Sequence, residues 1–188
     1  EDDYKSNQLC VLSMMVIGTV SVLSTCVALF LNRPIFRLMN IDSAILQETC
    51  LYLMIVGGFS LVQGLYLNFA AILRSHTRLK EVMAVSILMN VLNIIGNAIL
   101  INGLFGFPRL GIVGAAISTV ISKTIGLVCV YIVFRKYTKI KLKFKFLKQG
   151  SKEMLFKLLK IGIPSGAENF SYNLSQICIL SIINPYGA

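Results

Sequence analysis

The chain has 188 residues, 56% of them hydrophobic and only 14% charged, with a formal net charge of +10. Soluble domains carry about 25% charged residues, so this composition excludes an ordinary water-soluble fold. The five cysteines (Cys10, Cys26, Cys50, Cys129, Cys178) form no CxxC pair and no Cys/His cluster, which excludes a disulfide framework and a thiolate metal centre and leaves small apolar fillers.

Taken in chain order, Leu9 to Leu31, Thr49 to Leu73 and Val82 to Leu104 carry no charge, and Leu110 to Phe134 carries only Lys123. Each run exceeds the roughly 20 residues that cross a bilayer as helix. A fifth run, Ile161 to Ile183, carries only Glu168. Five transmembrane helices are therefore predicted, in an all-α integral membrane protein of the polytopic bundle type. The first run is too long for a secretory signal and lacks a basic flank. A chain that begins at Glu1 rather than Met and stops at Ala188, just past the fifth run, is expected to be a fragment of a longer protein.

Basic residues set the expected orientation. Arg74, Arg78 and Lys80 follow the second run, and 10 of the 18 basic residues lie between Arg135 and Lys160. The other two connections hold Arg33 and Arg37, and Arg109. Such alternation places the N-terminal end, the second-to-third loop and the 135–160 loop in the cytoplasm, and it accounts for the net charge without nucleic acid. His76, beside Arg74 and Arg78, reads as a solvated loop residue. "KIKLKFKFLK" (139–148) alternates like a strand. Its place between two spans favours a linker lying on the anionic inner leaflet. "SKEMLFKLLK" (151–160) has helical apolar spacing and predicts a short surface helix leading into the fifth span.

Polar groups inside hydrocarbon are costly, so they face protein or water. Asn90, Asn93 and Asn97 fall on one helical stripe. They serve either as interhelical glue, at roughly 0.6–2 kcal/mol per contact, or as hard oxygen ligands along a path or cation site. The fourth run adds Ser118, Thr119, Ser122 and Lys123; Lys123 lies ~20 Å from the outer end at ~1.5 Å per residue. It either snorkels toward the cytoplasm or pairs with a carboxylate elsewhere. Gln63, Tyr66 and Asn68 are the polar residues of the second run. Glu168 follows Pro164 by four residues, which suits the first turn of a helix and its dipole; the functional alternative is a protonatable or cation-binding carboxylate. No phosphate-cradling loop, nucleophile–base pair or metal spacing points to an enzyme. "GIVGAA" (111–116) allows close helix approach, and "GFPRLG" (106–111) is a tight turn.

The order of these features resembles the multidrug and toxic compound extrusion family. "NIIGNAILINGLFGFPRLGIVGAAISTVIS" (93–122) is similar to that family's fifth and sixth helices, "AAILRSHTRLKEVMAVS" (70–86) to its fourth-to-fifth connection, and "LLKIGIPSGAENF" (158–170) to the start of its seventh helix. The resemblance implies helices three to seven of a twelve-helix, two-lobe antiporter: residues 1–134 in the N-terminal lobe, 135–160 as a basic cytoplasmic linker between lobes, and 161–188 as the first helix of the second lobe. It further implies Asn93, Asn97 and Thr119 as members of an N-lobe cation cluster. Where several members have Asp, this chain has Asn97, which cannot titrate. Glu168 matches an acidic residue that some members carry on the seventh helix, and Gln63, Asn90 and Lys123 are candidates along the substrate path.

The expected function is cation-coupled export of amphipathic, often cationic, small molecules across the plasma membrane, with no cofactor beyond a coupling Na⁺ or H⁺. The expected partners are small-molecule substrates, the bilayer and the remaining helices of the same polypeptide. A lipid-linked oligosaccharide flippase of related architecture would be expected to show more basic residues within spans than Lys123 alone. A non-transporting membrane scaffold would need neither the amide stripe nor a carboxylate at mid-membrane.

Overall fold

The computed structural model describes residues 2–38, 43–106, 108–138, 140 and 152–183, and the described residues form helices and turns with no strand. In chain order these are α1 (Asp2–Phe30), α2 (Asn32–Leu38), α3 (Ser43–Gly58), α4 (Ser60–Ser75), α5 (Leu79–Asn102), a 3₁₀ turn (Leu104–Gly106), α6 (Gly111–Tyr137) and α7 (Lys152–Ile183). Except for Ile140, the 139–148 linker expectation lies outside the described residues.

The second expected span differs from an unbroken helix. It is made of α3 and α4, bent by 46° where "GGF" (57–59) interrupts the pattern. Phe59 stands between the two helices with φ −99° and ψ 19°. Two adjacent glycines lower helix propensity by ~1 kcal/mol each, and α1 fills the break. Thr25 Oγ1 donates to Gly57 O at 3.0 Å, Thr25 and Ser60 share a 2.7 Å hydroxyl contact, and Ser60 Oγ donates to Ser21 O at 2.8 Å. Backbone groups freed by the bend thus find partners on the neighbouring helix, as spans in lipid require.

Ser6–Phe30 of α1, α5 and α6 are long and apolar enough to cross a membrane, and the bent α3–α4 pair makes a fourth crossing if taken as one span. The fifth expected span is helical but falls short on apolarity, because polar residues such as Ser171, Asn173 and Gln176 dilute it. The surface helix and the fifth span are also not separate: α7 runs through both as one helix of 32 residues, with Pro164 in its interior. Glu168 is therefore well inside a helix, and the first-turn placement expected for it is wrong. Proline at position 164 lacks the N–H that would meet the carbonyl one turn back, and its ring crowds that carbonyl, yet α7 continues through it.

Packing proceeds as antiparallel neighbours. Gly114 lies against Leu100, Gly96 against Ser118 and Gly126 against Met89, which runs α6 back along α5. Gly64 against Ser21 and Asn68 against Ser13 run α4 back along α1. A Cβ at Gly114 would sit 2.6 Å from the Leu100 carbonyl oxygen, so only glycine permits this approach. α5 ends on Gly103 in the left-handed region (φ 72°), its N–H bonded to Ile99 O at 2.9 Å.

The arrangement gathers Arg74, Arg78, Lys80, Arg135 and Lys136 at one end of the bundle, where the Arg78 guanidinium lies 4.3 Å from the Tyr137 ring centroid. Beneath them is the apolar core, in which Phe69 meets Tyr131 at 5.4 Å and Phe134 at 4.8 Å between ring centroids. On the outside, α5 exposes Met83, Ile87 and Ile94, each by more than 60%. A bilayer solvates such a face and water does not.

Candidate functional site

The glycine-permitted contact between α5 and α6 brings a set of amides and hydroxyls together. Ser118 Oγ crosses the interface to Asn93 O at 3.0 Å. Thr119 and Ser122 donate their protons along their own helix, to Ala115 O at 2.8 Å and to Thr119 O at 3.0 Å. Having no proton left, both hydroxyl oxygens can only accept from across the interface, and Asn93 Nδ2 supplies them at 3.2 Å and 3.4 Å. This fixes the Asn93 amide: its Oδ1 faces Asn97, whose Nδ2 donates to it at 3.2 Å. The chain of donors ends there. Asn97 Oδ1 is buried and has no partner.

A buried carbonyl oxygen without a donor carries a desolvation cost of about 1–3 kcal/mol. With the Thr119 hydroxyl, joined to it through Asn93, it offers neutral oxygens of the kind that hard monovalent and divalent cations accept. None of these groups titrates near neutrality, so the set cannot itself carry a proton. At ~1.5 Å per residue, Asn93 lies ~21 Å along α5 from Leu79, deep in a bilayer core ~30 Å thick.

Of the sequence-predicted residues, the structure brings Asn93, Asn97 and Thr119 together. Asn90 shares their stripe but is exposed and stands outside the network. Lys123 is half-buried and forms no ion pair among the described residues. Gln63 is also half-buried, and its Oε1 is a second acceptor lacking a partner. Glu168 is exposed on α7, which among the described helices packs only against α1. It is not brought to the cluster.

Sequence reasoning passed over two features. Ser118 and Ser122, noted only as polar residues, turn out to complete the α5–α6 network; their i, i+4 spacing, opposite small residues of α5, was the available signal. Asn68 is 4% exposed and accepts from Ser13 Oγ at 3.0 Å, while its Nδ2 has no partner. Its sequence signal was an amide in an apolar run, one of two there with Gln63.

Among the described residues, an all-helical bundle with long apolar helices and a polar network at a helix interface defines a polytopic membrane protein. The chain belongs to the MatE family, whose profile matches residues 4–99. It is 42% identical over 169 residues to the uncharacterized transporter YisQ of Bacillus subtilis (90% of this chain, 37% of that protein). Against the probable multidrug resistance protein YoeA of the same organism, the identity is 34% over 159 residues (82% and 34%). The probable multidrug resistance protein NorM of Thermotoga maritima is 29% identical over 150 residues (79% and 32%). The chain spans about a third of the length of these curated relatives. No solved structure gives a significant match. The family is one of transporters, and the chain is not an enzyme.

Proposed function

We propose that this chain is part of a cation-coupled antiporter that exports amphipathic, often cationic, small molecules across the plasma membrane by alternating access. The observation that carries the reading is the buried, unpartnered Asn97 Oδ1 at the end of the Asn93–Thr119–Ser122 network. Oxygen ligands held ready at that depth suit a dehydrated cation, and an amide in place of a carboxylate favours Na⁺ over H⁺. The multidrug-resistance names of YoeA and NorM support the cargo class.

In this reading residues 1–134 belong to the first lobe, 135–160 to a cytoplasmic linker and 161–188 to the second lobe. The basic end carrying Arg74, Arg78 and Arg135 faces the cytoplasm together with the N-terminal end. Gln63, Asn90 and Lys123 are assigned to the substrate path. Glu168 is assigned a separate role, as a titratable carboxylate of the second lobe.

The test uses the full-length protein in everted vesicles with a fluorescent cationic dye added to the outer medium, under an imposed sodium gradient and then a proton gradient. Sodium-driven dye movement is expected, and Asn97→Ala is expected to weaken the sodium dependence roughly tenfold, the scale of losing ~1.4 kcal/mol of ligand interaction. Wild-type coupling in Asn97→Ala would remove the site assignment, and the absence of movement under both gradients would remove the exporter reading. Glu168→Gln is expected to change the pH profile of transport; an unchanged profile leaves Glu168 without a coupling role.

A further inference from the structure

A cavity of about 690 Å³ opens at the basic end of the bundle, between the first half of α1, the last turns of α4 and the first turns of α7. It is separate from the α5–α6 network and contains none of the residues assigned above. Leu9, Ile72 and Leu158 give it apolar walls, and Asn68, His76 and Lys157 are among its polar groups. The volume lies within the ~300–1,000 Å³ of small-molecule sites, which combine an apolar lining with a few convergent polar groups.

Three observations define an occupant. Asn68 is 96% removed from solvent, yet its Nδ2 has no partner. Ser13 has a single proton for two acceptors, Asn68 Oδ1 at 3.0 Å and Cys10 O at 2.8 Å. If the amide turns over, Oδ1 is left unpartnered in place of Nδ2, so either way one end of the amide lacks a mate. Among the described residues, the ionisable groups on the lining are His76, Lys157 and the Cys10 thiol, and no carboxylate lines the cavity. The Lys157 ammonium makes the charge on this lining positive, which repels a cationic cargo and attracts an anion. The apolar walls give a bare inorganic anion nothing to bury, but they suit an acyl chain.

We infer that this cavity binds a single-chain anionic amphiphile, with its carboxylate or phosphate head held by Asn68 and Lys157 and its chain against Leu9, Ile72 and Leu158. Lys157 supplies a charge-assisted contact at the rim and Asn68 a neutral one deeper in. A phosphate head on glycerol, which brings both acceptor oxygens and a hydroxyl, satisfies either end of the amide; a fatty carboxylate satisfies only the donor end. Because α7 touches the bundle chiefly along α1, an occupant reaching from Asn68 to Lys157 would tie α7 to α4 as well.

The test places full-length protein in nanodiscs of uncharged lipid and photolabels it with diazirine-bearing palmitate, diazirine-bearing lysophosphatidate and the matching diazirine fatty alcohol. Mass spectrometry then locates the label. Both acids, or lysophosphatidate alone, are expected to label residues 9–13, 68–76 and 154–162, and the alcohol is not. Preference for lysophosphatidate identifies a membrane lipid as the source, and preference for palmitate a free fatty acid. Lys157→Glu, an exposed change that leaves packing intact, is expected to reduce acid labelling by roughly tenfold or more, the scale of reversing a charge-assisted contact. Asn68→Leu should do the same where it folds. Equal labelling by the alcohol, unchanged labelling in Lys157→Glu, or label confined to other segments would overturn the inference.

Discussion

The α5–α6 pair and the α1–α4 pair are built alike and finished differently. Both are antiparallel, both close on a glycine, and both place an asparagine opposite serine or threonine. In α5–α6 one of three glycines meets backbone: a Cβ at Gly114 would lie 2.6 Å from the Leu100 carbonyl oxygen, while Gly96 and Gly126 meet the side chains of Ser118 and Met89. In α1–α4 the glycine meets side-chain tips: a Cβ at Gly64 would lie 2.5 Å from Ser21 Oγ and 2.7 Å from Ile17 Cγ2. Backbone inside a hydrogen-bonded helix cannot step aside, whereas a serine hydroxyl can rotate. The first pair is therefore a fixed platform and the second an adjustable one, and the second is also the pair that borders the break between α3 and α4.

The sharpest way to break this contrast is to add a side chain to each glycine. Gly114→Leu must push α6 off α5, and overpacking of that kind costs about 3 kcal/mol or more where backbone blocks relief. The expected outcome is loss of the folded full-length protein, read as aggregation on size-exclusion chromatography in detergent. Gly64→Ala is expected to remain folded with a modest fall in melting temperature, on the order of 1 kcal/mol. Equal damage from both would erase the distinction between the pairs.

The two asparagines give the next comparison. Asn93 donates to Thr119 and Ser122 and accepts from Asn97, so Asn93→Leu removes three contacts and strands Asn97 Nδ2, while Thr119 and Ser122 keep their intrahelical acceptors. Asn68 has one partner and one unsatisfied end; Asn68→Leu strands only Ser13, which keeps Cys10 O as an acceptor. Within a membrane such contacts contribute about 0.6–2 kcal/mol each. Asn93→Leu is thus expected to lower the melting temperature of the full-length protein clearly, and Asn68→Leu to leave it nearly unchanged in lipid-free detergent. A larger loss for Asn68→Leu would show that its amide is a structural member of the α1–α4 contact.

Much of this was legible in the sequence. Long uncharged runs are dictated by bilayer thickness, and Asn93 and Asn97 on one stripe had to face a neighbour. Small residues at 111–116 pointed to close approach of α6 to a neighbour, and that Thr119 joins Asn93 and Asn97 was implied by the family resemblance rather than by spacing. Periodicity could not say where that face ends: Asn90 lies on the same stripe and is exposed, because stripe membership does not record how far the partner helix covers it. The 46° break was signalled only by Gly57–Gly58, since composition is blind to a bend within an apolar run. Pro164 misled in the opposite direction. It commonly opens a helix, but α7 had already started at Lys152, so Glu168 lost its place near a helix start. Whether a polar residue has a partner, as Ser118 does and Asn97 Oδ1 does not, depends on the direction of each donor and needs coordinates.

The smallest expected effect concerns the break itself. Thr25 Oγ1 donates to Gly57 O at 3.0 Å, beside the bend, and Ser60 retains its own bond to Ser21 O. Thr25→Val keeps the shape and removes the hydroxyl, so one carbonyl at the bend loses its interhelical donor while the α1–α4 contact persists. The loss is about 0.6 kcal/mol by the average for such bonds in membranes, a shift of at most a few degrees in melting temperature. Its signature should be local: backbone amides near Phe59 and Ser60 should exchange hydrogen faster, while those of α5 and α6 are unaffected. If exchange rises equally in α5 and α6, the two pairs open as one unit, and the adjustable character assigned to α1–α4 belongs to the whole bundle.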